Sequence, residues 1–213
     1  MNAKFFDLKK EKQDRMINAA LKMFAIHGYR HASTDDIVKE ASVSKGLLFH
    51  YFESKLGVYV FIYDYSVRYM MLELKSCVDP KERDLFEVLK QTERARMNAM
   101  RAYPYMQQFL NRSMNENVSE ALLAVEDMRD VLLKTYETIS EQIDPALAPP
   151  GIDLGKLLKM LDFTAKGLLE EHFRNASFQP EMLYEEITDY LDMMRQALNH
   201  SPDVDSLQLI QNP

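Results

Sequence analysis

Tryptophan is absent from the 213 residues, and there is a single cysteine, Cys77. One thiol excludes an internal disulfide framework and suits a reducing cytoplasm. Glycine is scarce at six residues and proline at eight, which disfavours a turn-rich sheet protein. No apolar run is long enough to cross a bilayer, so no membrane partner is expected. The opening residues, Met1-Asn2-Ala3-Lys4-Phe5-Phe6-Asp7, lack the apolar core and cleavage site of a secretory leader. A P-loop, a glycine-rich strand–helix turn, an HExxH pair and a serine elbow are also missing, and catalysis is not expected.

What remains favours helix. Hydrophobic residues make up 46% of the chain and include 14 Met, alongside abundant Leu, Ala, Glu and Lys. An all-α fold of about nine helices is expected from caps and breakers. Charge divides the chain. Residues 1–57 hold ten Lys/Arg against seven Asp/Glu, and the rest holds sixteen against twenty-six. A basic head on an acidic body fits contact with phosphate at one end only. The expected domains are a head over residues 1–54, a larger helical body over 55–200 and a flexible tail over 201–213.

The head reads as a helix-turn-helix. Ile17, Ala20, Leu21 and Phe24 give the first helix one apolar face, and Gly28 follows as a left-handed stop. Upstream, Lys4, Lys9, Lys10, Lys12 and Arg15 form a basic arm, either a solvated face or a phosphate or minor-groove contact. Ser33 caps the second helix, with Asp36 three residues on. Ile37, Val38 and Ala41 face inward, and Thr34 stands at the first turn, where its hydroxyl and N–H suit a phosphate. Ser44 caps the third helix. Leu48 and Phe52 fall together inward, Gly46, Leu47 and His50 fall opposite, and Lys45, Phe49 and Tyr51 lie on the flanks. Gly46 lets backbone approach DNA closely for want of a side chain. Ser54 caps the fourth helix, and Lys55 stands at its start.

Phe24-Ala25-Ile26-His27-Gly28-Tyr29, Ser33-Thr34-Asp35-Asp36-Ile37-Val38-Lys39-Glu40-Ala41, Val43 through Phe52, and Ser54-Lys55 together resemble the TetR family of bacterial transcriptional regulators. The resemblance covers about the first 57 residues; the rest is similar in length and helical character only. It implies a homodimer bound to a double-stranded DNA operator and released by a small molecule held in the body. By position it implies DNA contacts from Thr34, Ser44, Lys45, Gly46, Leu47, Phe49, His50, Tyr51 and Lys55. Ser42 stands where the family usually has a turn glycine, and Phe49 where tyrosine is frequent.

In the body, a rod from Lys55 to about Cys77 spans roughly 35 Å at 1.5 Å per residue. Gly57 near its base is either a weak point or an ordinary helix glycine. Further helices are expected over Arg83–Ala102, Tyr105–Met114, Val118–Ile143, from Asp153 to about Asn175, and from Pro180 to about Asn199. The last two carry apolar surface on more than one side. Leu158, Leu161, Ala165, Leu168, Leu169, Ile187, Leu191, Met194 and Leu198 are expected either at a four-helix subunit interface or inside one subunit.

Phe61, Tyr65, Tyr69, Met97, Met100, Tyr103, Met106, Phe109, Met128 and Phe163 are candidate walls for a lipophilic or planar effector, or plain core. No cofactor is expected, and no metal: Gly28 separates His27 from His31, and Glu170, Glu171 and His172 diverge around a helix. A second reading is a ligand-independent DNA-binding protein that recruits a partner through its acidic body.

Overall fold

A computed structural model describes residues 3–147, 151–174 and 178–199. The expected tail from residue 201 lies outside them. Ten α-helices follow one another: α1 Lys10–His31, α2 Thr34–Ala41, α3 Lys45–Phe52, α4 Lys55–Cys77, α5 Leu85–Ala102, α6 Met106–Ser113, α7 Ser119–Ala124, α8 Glu126–Glu141, α9 Leu154–Phe173 and α10 Pro180–Asn199. A 3-10 turn over Ala3–Asp7 precedes them, and no strand occurs among the described residues.

Local chemistry sets the boundaries. The hydroxyls of Ser33, Ser44 and Ser54 accept from the N–H groups of Asp35, Leu47 and Gly57, and so open α2, α3 and α4. Asp84 accepts from Phe86 and Glu87 at 3.0 Å each and opens α5. Asp153 opens α9 through Lys156. α1 is broken at Gly28, whose φ of +67° is open to glycine without strain. Ser42 carries the α2–α3 turn at φ 53°, ψ 50°, the left-handed region that a glycine would occupy more easily.

The stretch expected as one helix over residues 118–143 is two. The chain leaves helical geometry at Val125 (φ −120°, ψ 7°), and Val125 and Ala121 are both buried in the core that α1, α4 and α6 share. Bending there turns α7 and α8 onto that core separately, and ten helices stand among the described residues where about nine were expected.

Two apolar cores hold the molecule. One runs from the head along α4, through Phe24, Ile37, Leu48, Tyr59, Ile62 and Phe109. The other lies between α5, α9 and α10, around Phe86, Leu161, Leu169, Ile187 and Leu191. Each fully buried large side chain contributes about 2 kcal/mol. Arg195 on α10 fixes the second core by bridging Asp84 and Glu87 at 2.8 Å each.

Candidate nucleic-acid interface and effector cavity

α3 buries Leu48 and Phe52 completely or nearly so and turns its other side outward. Ser44, Lys45, Gly46 and His50 are exposed or half-buried there, and Thr34, Leu47, Phe49, Tyr51 and Lys55 surround them. A methyl group built on Gly46 meets no described atom within 4 Å, so the backbone is the outermost surface at that point. The nine positions implied by the resemblance differ in freedom: Ser44, Lys45, Gly46 and His50 are exposed, while Thr34, Leu47, Phe49, Tyr51 and Lys55 are half-buried. Lys45 is exposed and paired with Asp35 of α2 at 2.7 Å. The ring of His50 meets Tyr51 edge-on at 4.9 Å, and Phe5 backs Tyr51 at 5.8 Å. Lys55 is turned inward: its ammonium donates to the Arg30 carbonyl at 3.1 Å and lies 4.8 Å above the Tyr29 ring. Burial lowers its pKa. In the basic arm, Lys10 pairs with Asp14 at 2.5 Å and donates to the Tyr103 hydroxyl at 3.3 Å.

Gly57, the third residue of α4, has a structural reason. A methyl group there would stand 1.9 Å from the carbonyl oxygen of Phe52. The recognition helix ends directly against the base of the rod.

The body contains a cavity of about 1350 Å³. Its walls come from the C-terminal turn of α1, from α5, α6, α8, α9 and from Ile187 and Leu191 of α10. None of the ten residues expected to line an effector site is in those walls. Phe61, Met97, Met100, Tyr103, Met106 and Phe109 are buried as core. Tyr65, Tyr69 and Met128 pack against that core, and Phe163 is 61% exposed on the outside of α9. The tyrosines instead join head to body. The hydroxyls of Tyr65 and Tyr103 lie 2.6 Å apart, and Tyr103 donates to Asp14 of α1 at 3.1 Å. Burial pushes the Tyr103 hydroxyl up to about 12.

The cavity wall is apolar with one polar side. Leu132, Ile139, Ile143, Leu158 and Leu161 supply the first. Glu93, Arg96, Gln107, Gln108 and Asn111 supply the second, and sequence reasoning missed all five. Their only signal is polar residues at three- and four-residue spacing on helices that are otherwise apolar. Glu93 and Arg96 pair at 2.5 Å. Burial pushes the Glu93 carboxyl up, with the Arg96 guanidinium opposing it.

Of the nine residues expected either at a subunit interface or inside one subunit, five are buried within the chain and four are half-buried. Leu161, Leu168, Leu169, Ile187 and Leu191 are buried, and Leu158, Ala165, Met194 and Leu198 pack against them. The apolar side chains that α9 and α10 expose are Met160, Phe163, Met182, Tyr190 and Met193. Among the described residues no helix is long and apolar enough to cross a membrane, and no three His, Cys, Asp or Glu residues are grouped to hold a metal ion.

The comparisons agree with this geometry. The family model of bacterial regulatory proteins, tetR family, matches residues 16–60. An uncharacterised HTH-type transcriptional regulator of Bacillus subtilis (strain 168), YuxN, is 41% identical over 56 residues. That match covers 26% of this chain and 19% of the relative's length. Beyond the head the likeness is one of fold. A TetR family regulator from Chloroflexus aurantiacus J-10-FL superposes with a TM-score of 0.64 at 19% identity, covering 92% of this chain and 94% of its own. The fatty acid degradation regulator FadR from Bacillus halodurans gives 0.57 at 18%, covering 86% and 95%. The TetR family regulator PfmR from Thermus thermophilus gives 0.54 at 19%, covering 84% and 96%. The head thus matches the model of bacterial regulatory proteins, tetR family, over residues 16–60, and the chain as a whole shares the all-helical fold of these solved regulators.

Proposed function

We propose that this chain is a dimeric repressor that grips a palindromic operator with two copies of α3 and leaves it when a small molecule fills the body cavity. The observation that carries the DNA reading is the exposed side of α3. Gly46 offers bare backbone there, flanked by the exposed Lys45 and His50. Side chains on such a helix read base edges in the major groove, while cations and N–H groups hold phosphate. The same face is where Thr34, Ser44, Leu47, Phe49 and Tyr51 belong as contacts. Lys55, tied to Arg30 and Tyr29, acts first as a brace for the head and reaches phosphate only at its edge.

Dimerisation is assigned to the outward side of α9 and α10, through Met160, Phe163, Tyr190 and Met193. A two-fold axis there pairs like with like. The cavity favours a ligand-responsive regulator over one that only recruits a partner protein through an acidic surface, because such a body needs no interior space. A repressor of this kind works in the cytoplasm, where DNA and effector meet.

Anisotropy titration of duplexes from the DNA flanking the chain's own gene tests the reading. A saturable, salt-sensitive complex with two subunits per site is expected, and Lys45→Glu abolishes it. Equal affinity for shuffled duplexes of the same composition would contradict it.

A further inference from the structure

Among the described residues, five buried side-chain nitrogen or oxygen atoms lack a hydrogen-bond partner. Three of them, Arg96 Nε, Gln107 Oε1 and Gln108 Oε1, belong to residues that line the large cavity. Buried polar groups are partnered in the great majority of cases, so three orphans on one wall are a concentration that core packing does not explain. Gln107 is only 6% exposed. Its amide nitrogen donates to Asn111 Oδ1 at 2.8 Å, which leaves its oxygen as the open acceptor. Arg96 spends one terminal nitrogen on Glu93 at 2.5 Å and retains an Nε–H to give.

Charge narrows the class further. Glu93 and Arg96 are the deeply placed ions of the lining, and they face each other. Of the others, Asp162 pairs with Lys166 at 2.6 Å, Glu116 is held by backbone N–H groups, and Arg30, Arg112, Lys159, Glu170 and Arg174 are exposed. The unpaired cations among these, Arg30, Arg112, Lys159 and Arg174, are on the solvent-exposed part of the lining, so a charged head carried to the deep wall finds there only ions already paired and loses its hydration. A neutral head finds one donor and two acceptors. The remaining wall, with Leu132, Ile139, Ile143, Leu158 and Leu161, suits an apolar body.

Resting on the reading of this cavity as an effector site, we propose that its ligand is a neutral amphiphile whose head carries both a carbonyl-type acceptor and N–H or O–H donors, as in a carboxamide on an aliphatic chain. The acceptor meets Arg96 Nε, and the donors meet Gln107 and Gln108. All three protein atoms are covered in the free chain, so their side chains rotate toward the ligand as it enters. Two of the three ride on α6.

Calorimetric titration and thermal melting of the full chain with decanamide, decanoate and decylammonium test the proposal. Decanamide is expected to bind at least tenfold more tightly than either ion and to raise the melting temperature most. Gln108→Leu is expected to cut decanamide affinity about tenfold while the free protein melts no lower, since the change removes an orphaned acceptor. Gln107→Leu provides a second position for the same measurement. Tighter binding of decanoate or decylammonium would overturn the head chemistry and leave the cavity as an effector site. Binding of none of the three would overturn both.

Discussion

The carboxylate of Glu116, just beyond α6, accepts a hydrogen bond of 3.0 Å from the backbone N–H of Tyr29, just beyond the break in α1. This contact joins the body cavity to the helix-turn-helix head. On one side, Gln107, Gln108, Asn111 and Arg112 of α6 line the cavity. On the other, Tyr29 lies under Lys55 at the base of the rod. The Arg112 guanidinium lies beside Gly28, 3.0 Å from where a methyl group on that residue would stand. On the proposed function, a ligand that shifts α6 would act on the end of α1 through this bond.

The bond has a pH signature. Burial works against the Glu116 charge, but the N–H groups of Tyr29, Asn117 and Val118 and the nearby Arg112 outweigh it, and the carboxyl is held below its ordinary range. A group depressed in the folded state stabilises at neutral pH and loses that contribution as pH falls through the carboxylate range. Glu116→Gln should therefore melt below the wild type near neutrality, with the gap closing in acid. Melting curves from about pH 7 to about pH 3 check this. A gap that is constant with pH would contradict it.

Gly57→Ala should be severe. The new methyl would sit 1.9 Å from a backbone oxygen of Phe52, and backbone cannot rotate away as a side chain can. A loss of about 3 kcal/mol is expected, at the upper end for overpacking. Urea denaturation measures it, and a loss under about 1 kcal/mol would mean the junction is soft. Ser42→Gly, by contrast, should stabilise by about 0.5–1 kcal/mol by relieving a left-handed serine.

Gly46→Ala separates folding from binding. The helix has room for the methyl group, and alanine is the better helix former by roughly 0.5–1 kcal/mol. Melting temperature should hold or rise while operator affinity falls about tenfold or more, because backbone approach is blocked. Unchanged affinity would remove Gly46 from the interface.

Phe163→Asp on the exposed side of α9 should yield monomers with an intact fold, read by sedimentation and circular dichroism. A charge at the core of a dimer interface has no partner there. If the variant still sediments as a dimer, the interface lies elsewhere.

The head was legible because its signals are local. Ser33, Ser44 and Ser54 each cap at short range, and Leu48 and Phe52 fix which side of α3 turns in. The rod from Lys55 to Cys77 is bounded as expected. The cavity was not legible. Met and aromatic side chains suggested walls, yet Tyr65, Tyr103 and Phe109 are taken up by packing and by the link to Asp14. The walls of the cavity are ordinary Leu, Ile and Gln residues, brought together by how six helices rotate against each other, which periodicity does not encode. On α9 the sequence showed two apolar sides. The Leu161–Leu168 side packs inward, while Met160 and Phe163 on the other remain outside.

On the proposed function, α3 reads DNA sequence as one of a symmetric pair. Selection from a random pool of duplexes with the full chain, repeated with His50→Ala, tests it most directly. The wild type should enrich a palindrome whose half-sites lie about 34–36 Å apart or a multiple of that, and His50→Ala should relax the preference within each half-site. Enrichment of no palindrome by the wild type, or of the same palindrome with equal stringency by His50→Ala, would contradict it.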